Sequence, residues 1–239
     1  MKSGLLLWCV PLGIGALLLT IGPNRALPYP RPAGESGFTA DKGRFRILQQ
    51  GNEAGIEEFD LAPAGNAWVM HDETVIRVPG SAEVRTTGQL RLSADGVPLH
   101  YDWSTQGDKK ASGAVEFDNG TAKTSASVAA AKEPIHQDFK FGSSRVAVLD
   151  NNLYEQYAVL GRIYDWNGKG NQKISVLIPQ DATPGSVDVE SLGPKTVDGV
   201  NLQALRVHST DLEIQIYLDA KFHLVRVEVP AAKVVIVRQ

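Results

Sequence analysis

From about Trp68 to Phe141 the chain alternates apolar and polar residues with a period of two, strand after strand. In residues 82–93 the even positions hold Ala82, Val84, Thr86, Gly88, Leu90 and Leu92, and the odd ones Glu83, Arg85, Thr87, Gln89, Arg91 and Ser93. Such a segment has one face in a core and one in water. Parallel sheets of α/β proteins read instead as continuous apolar runs, so the pattern predicts a largely antiparallel sheet. Further strands are expected at 44–50 and 56–61, then a long one with Trp68, Met70, Ile76 and Val78 on one face. After these come Leu99, Tyr101 and Trp103, then Val115 and Phe117, then 122–130, then Ile135, Phe139 and Phe141. Asp95-Gly96 and Asn119-Gly120 supply tight turns between them.

Past Asp150 the period changes. Leu153, Tyr157, Leu160 and Tyr164 are spaced i, i+4, i+7 and i+11, the apolar stripe of an amphipathic helix capped by Asp150, Asn151 or Asn152. Strands then resume at 173–179, 186–191, 195–208, 211–218, 222–229 and 233–238. The expected architecture is mainly β: a curved antiparallel sheet, a half-barrel, with one amphipathic helix packed across its open side.

Two segments carry a resemblance. Phe45-Arg46-Ile47-Leu48, with Gly51 and Ala54-Gly55-Ile56-Glu57, resembles the opening hairpin of an uncharacterised exported bacterial family, a domain of unknown function. The run from Ile216 through Asp219 and Phe222 to Val227 resembles its closing hairpin. That family is similar to the lipoprotein-carrier half-barrel fold, and the likeness spans 43–239 in element order. It implies an envelope location and a concave sheet covered by a helix, and it brings no catalytic residue.

The N-terminus bears on compartment. Met1-Lys2-Ser3 precedes an uncharged run, 4–22, rich in Leu, Ile and Val. A positive start followed by an apolar run is an export signal, and about 19 residues also suffice to span a bilayer. Residues 1–22 therefore read as a signal peptide or an N-terminal membrane anchor, 23–42 as a Pro-rich linker, and 43–239 as a single antiparallel β domain. The expected location is the periplasm, or the inner membrane with the domain outside the cytoplasm and membrane contact only through 4–22. The one cysteine, Cys9, lies in this run, so no disulfide is expected.

Composition narrows the chemistry. With 24 basic and 27 acidic residues the net charge is -3, and no basic stripe invites nucleic acid. Of the five histidines, His100 with Asp102 and His136 with Asp138 form i, i+2 pairs that could hold a metal. Each pair lies opposite the apolar face of its strand, so these read as solvated surface groups, as do His208 and His223. There is no G-x-S-x-G elbow, no phosphate-binding glycine spacing, and Glu57 and Glu58 point to opposite faces. No catalytic residue, metal or cofactor is expected. The candidate ligand-binding set is aromatic: Trp68, Tyr101, Trp103, Phe117, Phe139 and Phe141 on successive apolar faces, with Tyr157 on the helix above them. They are either core filling or the lining of a groove for an acyl chain or other apolar ligand. The leading expectation is a non-catalytic protein binding an apolar ligand or a lipidated partner. An interaction or sensor module with an envelope partner, and a hydrolase with an unrecognised site, are the alternatives.

Overall fold

The computed structural model describes residues 38–239 apart from Lys109, Ala130, Lys169 and Asp211. The expected export segment 1–22 and linker residues 23–37 lie outside the described residues. Among those described, no helix is long and apolar enough to cross a membrane.

The first half is a meander: β1 (Asp41–Gln49), β2 (Asn52–Ala64), β3 (Ala67–Ile76), β4 (Val84–Ser93), β5 (Pro98–Gln106), β6 (Ala111–Asp118), β7 (Thr121–Val128) and β8 (Ile135–Lys140). The second half runs β9 (Val146–Val148), α1 (Tyr157–Ile163), β10 (Gln172–Ile178), β11 (Thr183–Val197), β12 (Val200–His208), β13 (Glu213–Leu218), β14 (Leu224–Val229) and β15 (Val234–Arg238). Short 3-10 turns, η1 (Pro179–Asp181) and η2 (Pro230–Ala232), separate β10 from β11 and β14 from β15. All fifteen strands form one sheet in the order β8-β7-β6-β5-β4-β3-β2-β1-β15-β14-β13-β12-β11-β10-β9. The first strand therefore pairs with the last, Phe45 opposite Arg238, and this pairing joins the two meanders.

Every ladder is antiparallel except β9 with β10. Parallel neighbours need a crossover of a dozen or more residues, usually through a helix. Residues 149–171 are that crossover, and it lays α1 on the inner face of the sheet. The sheet curls until β9 stands against β5 and η1 against β6, while β6, β7 and β8 extend past this seam as a flange. Phe45, Leu61, Met70, Leu90, Tyr101, Leu160, Leu205, Ile216 and Ile236 are among the side chains buried in the resulting core. The predicted curved β sheet with a helix on its open side is what the chain forms.

Several boundaries differ from expectation, each for a physical reason. The first strand starts earlier than 44: β1 begins at Asp41, and Phe38 before it is buried. The expected strand 195–208 is two strands, broken where Asp198 and Gly199 take φ of 50° and 81°. Two consecutive left-handed residues make the tight hairpin turn that an Asp-Gly pair favours. The helix starts at Tyr157, well past Asp150. It has seven residues, of which Ala158 to Ile163 are all buried, so it is an inserted core element rather than a two-faced surface helix.

Candidate functional site

The aromatic residues divide between two places. Tyr101 and Trp103 on β5 are buried under the crossover, whereas Trp68, Phe117, Phe139, Phe141 and Tyr157 are half-buried and pack against the same core. Trp68 lies 5.8 Å from the Phe38 ring, on β3 and away from the others. Phe117, Ala122 and Phe139 stand in cross-strand register on β6, β7 and β8. The next row on this face is mixed, Tyr101, Val115, Thr124 and Gln137, and the one beyond it runs Trp103, Gly113, Ala126 and Ile135, the last of them 48% exposed. The inner face is thus filled beneath α1 and open along the flange.

Gly88 marks where the crossover meets the sheet. A Cβ there would lie 2.7 Å from Leu153 Cδ1 and 3.1 Å from the Tyr101 hydroxyl, so a larger residue would force Leu153 to shift on the sheet. Around this contact the inner face is not apolar. Glu57, Thr74 and Thr86 stand side by side across β2, β3 and β4, and Asp72 pairs with Gly88. The crossover adds Asp150, Glu155 and Gln156, all buried.

These groups form a network that seats the crossover. Glu57 accepts the N–H of Tyr154 at 2.9 and 3.0 Å on its two oxygens and that of Glu155 at 3.0 Å. Glu57 thus holds the turn that leads into the helix, while the first N–H groups of α1 bond the carbonyls of Tyr154, Glu155 and Gln156. Tyr101 donates to Asp150 Oδ2 at 2.8 Å. The Gln156 amide donates to the Tyr101 hydroxyl at 3.3 Å and to Asp72 Oδ2 at 3.4 Å, while its oxygen accepts the Asp150 N–H at 2.7 Å. Asp150 Oδ1 accepts the N–H of Gln180 at 3.1 Å, tying η1 to the same knot. Both Glu155 carboxylate oxygens, Asp72 Oδ1 and the Thr74 and Thr86 hydroxyls are buried without a hydrogen-bond partner among the described residues.

Burial of these carboxyl groups has the expected effect. Desolvation raises Asp72 to about 7, and raises Asp150 to about 6 against its backbone and Tyr101 hydrogen bonds. Burial, then the Asp72 charge, holds Glu57 well above the usual carboxylate range. Glu155 is likewise well above it, through burial and then the charges of Asp41, Asp72 and Glu57. Arg238 is engaged with another acid: it grips Asp41 with bonds of 2.8 and 2.5 Å and stacks over Phe59. Among the described residues no group of three His, Cys, Asp or Glu side chains could hold a metal ion.

The opposite face is polar. A groove of about 800 Å³ crosses β2 to β7, lined by Glu58, Asp60, His71, Thr87, Ser104, Ser112 and Ser127 among others. Beside it His100 is held between Asp102 at 2.7 Å and Glu116 at 2.8 Å, a surface triad with no serine bonded to it among the described residues. His223 departs from expectation: its side chain is 13% exposed, bonded to Thr39 at 2.8 Å and Asp219 at 3.2 Å. It is a structural link between the N-terminal segment and the β13–β14 turn.

Sequence reasoning missed the acidic knot, although a signal was there. Glu57 is in phase with Phe59 and Leu61, and Asp72 with Met70 and Thr74, so each is a carboxylate on an apolar face. No protein-family model and no curated protein matches this chain. Among solved structures it is similar to a beta-barrel-like protein of the DUF1849 domain of unknown function from Brucella abortus. The TM-score is 0.56 at 11% identity, over 84% of this chain and 95% of that one. A DUF1089 family protein from Pseudomonas aeruginosa aligns with a TM-score of 0.45 at 8% identity, over 74% and 90% of the two chains. The likeness to the first is one of fold: a β-barrel-like sheet whose function is unknown.

Proposed function

We propose that this chain is a non-catalytic binding protein of the cell envelope, holding an acyl chain or a lipidated partner on its concave face. The observation that carries the reading is the flange. Phe117 with Phe139, and Ala126 with Ile135, form two apolar rows on either side of Thr124 and Gln137 that the crossover leaves partly open, on a sheet whose other face is charged. Apolar rows of this kind, continuous with a core, suit an apolar ligand. The export-type N-terminus supports a location in the periplasm or on the outer side of the inner membrane. Native mass spectrometry of the full chain purified from the envelope, with titration of a fluorescent fatty-acyl probe, tests the reading. Bound lipid, and probe affinity reduced at least tenfold by Phe139→Asp with the fold intact, are expected. No co-purifying lipid and no probe binding would overturn it.

A second reading, an interaction module for an envelope partner, has its own support in the polar groove across β2 to β7. Hydroxyl and carboxylate groups there suit a polar partner. Loss of a co-purifying protein on Ser112→Arg, with acyl binding absent, would favour it.

A further inference from the structure

We propose that the crossover segment 149–164 is a displaceable cover, seated on the concave face by a knot of buried carboxyl groups and released when those groups carry charge. The geometry has three parts. First, the segment is fastened to the sheet through acids. Its N–H groups at Tyr154 and Glu155 rest on Glu57, its Gln156 amide on Asp72, and its Asp150 on Tyr101. Second, oxygens in the contact stand without hydrogen-bond partners: both of Glu155, and Asp72 Oδ1. Burial makes an ionised carboxylate costly there, and Asp72 has only the 3.4 Å bond from Gln156 on its other oxygen to offset that cost. Third, the apolar contact under the segment is the ring and backbone surface at Tyr101, Gly88 and Leu153, next to the row that leads through Trp103 to Ile135 on the flange.

The charges facing the knot are unbalanced. The sheet contributes Asp41 from β1, Glu57 from β2, Asp72 from β3 and the Tyr101 hydroxyl from β5, with Arg238 from β15 already bound to Asp41. The β13–β14 turn adds Asp219 and His223, bonded to each other. The segment itself brings Asp150, Tyr154, Glu155, Tyr157, Arg162 and Tyr164, with Arg162 over the Phe38 ring. Arg145 bonds the Ile163 carbonyl, and Asp181 holds Asn151 at 3.0 Å. Raising pH adds negative charge where it is most costly. Lifting the segment returns Asp72, Glu155 and Glu57 to water and uncovers the Tyr101 surface beside the proposed acyl site. The ligand reading gives this motion its purpose, but the motion itself rests on the knot alone.

Hydrogen–deuterium exchange of the full chain tests it, at pH 5.5 and 8.5, with rates corrected for intrinsic exchange. With the Asp72 carboxyl near 7 when covered and near 4 when open, opening of 157–164 should rise about thirty-fold between the two. Amides of β12 and β13 should not follow. Asp72→Asn and Glu155→Gln should each flatten the response, and if one variant misfolds the other and the wild-type pair of pH values still decide. Equal protection of the segment at both pH values overturns the cover, as does protection that rises and falls with the whole sheet. A pH response that persists in both neutral variants also overturns it. Opening without any acyl probe bound leaves the cover standing and removes the acyl reading. Probe binding without opening does the reverse.

Discussion

Replacing Asp72 with asparagine should make the protein more stable, and by an amount that depends on pH. The side chain keeps its size and its contact with the Gln156 amide but loses its charge. In the folded chain the carboxyl titrates at about 7, against an ordinary value of 3.8. Between those two values the folded state binds more protons than the unfolded one, so stability is fully present below about pH 4. It is lost as pH rises toward 7 and is flat above that. A gap of about three pH units, at about 1.4 kcal/mol each, is about 4 kcal/mol at full ionisation. Relief of the repulsion on Glu57 acts in the same direction. Urea unfolding followed by far-ultraviolet circular dichroism, at pH steps from 4 to 8.5, measures the difference directly. The two proteins should coincide near pH 4 and diverge to as much as about 4 kcal/mol at pH 8. Parallel curves across that range, or a variant less stable than the parent at pH 8, would refute the account of the knot.

Trp103→Ala removes a buried ring and should cost about 3–5 kcal/mol, a fall of roughly 6–20 °C in melting temperature for a domain of this size. A change under about 2 °C by calorimetry would show that the ring lines open space instead. Gly55→Ala places a Cβ 2.4 Å from the Val75 carbonyl oxygen, a backbone atom that cannot move aside alone. It should lose at least about 2 kcal/mol through disturbed β2–β3 pairing, and unchanged thermal unfolding would contradict this. Arg238→Met strands the Asp41 carboxylate, which is 8% exposed as a residue, and should cost about 2–3 kcal/mol. The Asp41→Asn, Arg238→Met pair should recover part of that in a double-mutant cycle, and strict additivity would count against the clamp.

Much of the sheet was legible because its period is a local property. Alternation at 82–93 and 212–218 needs only the sequence, and both segments are strands with that phase. The crossover was harder, because its form is set by partners far along the chain. Leu153, Tyr157 and Leu160 have helical spacing, but the turn before the helix is held by Glu57, 97 residues from Tyr154, and the segment before Tyr157 stays in turns. The Asp198-Gly199 turn is readable from its residues, a tight-turn pair between two alternating segments. Which aromatic rings are covered depends on where the crossover lands. That landing is fixed by Gly88 and Leu153 across a tertiary contact, so Tyr101 and Phe139 look alike in sequence and differ in the fold.

The placement of the acids also bears on what the protein is built to do. Stability alone does not account for them, since apolar residues of similar volume in the place of buried ionisable groups are often neutral or stabilising. Glu57, Asp72 and Glu155 each break the phase of an otherwise apolar surface, and they do so in one place, under one segment. What carboxyl groups supply there, and leucines cannot, is direction. Glu57 turns both oxygens to the N–H groups of Tyr154 and Glu155, and Asp150 divides its two between Tyr101 and Gln180. A cover held by such bonds has one seated pose, whereas a purely apolar one could slide on the sheet. The same groups make that pose expensive once ionised. Specific seating and weak holding thus come from one set of atoms, and a segment meant to stay down permanently would need only the first.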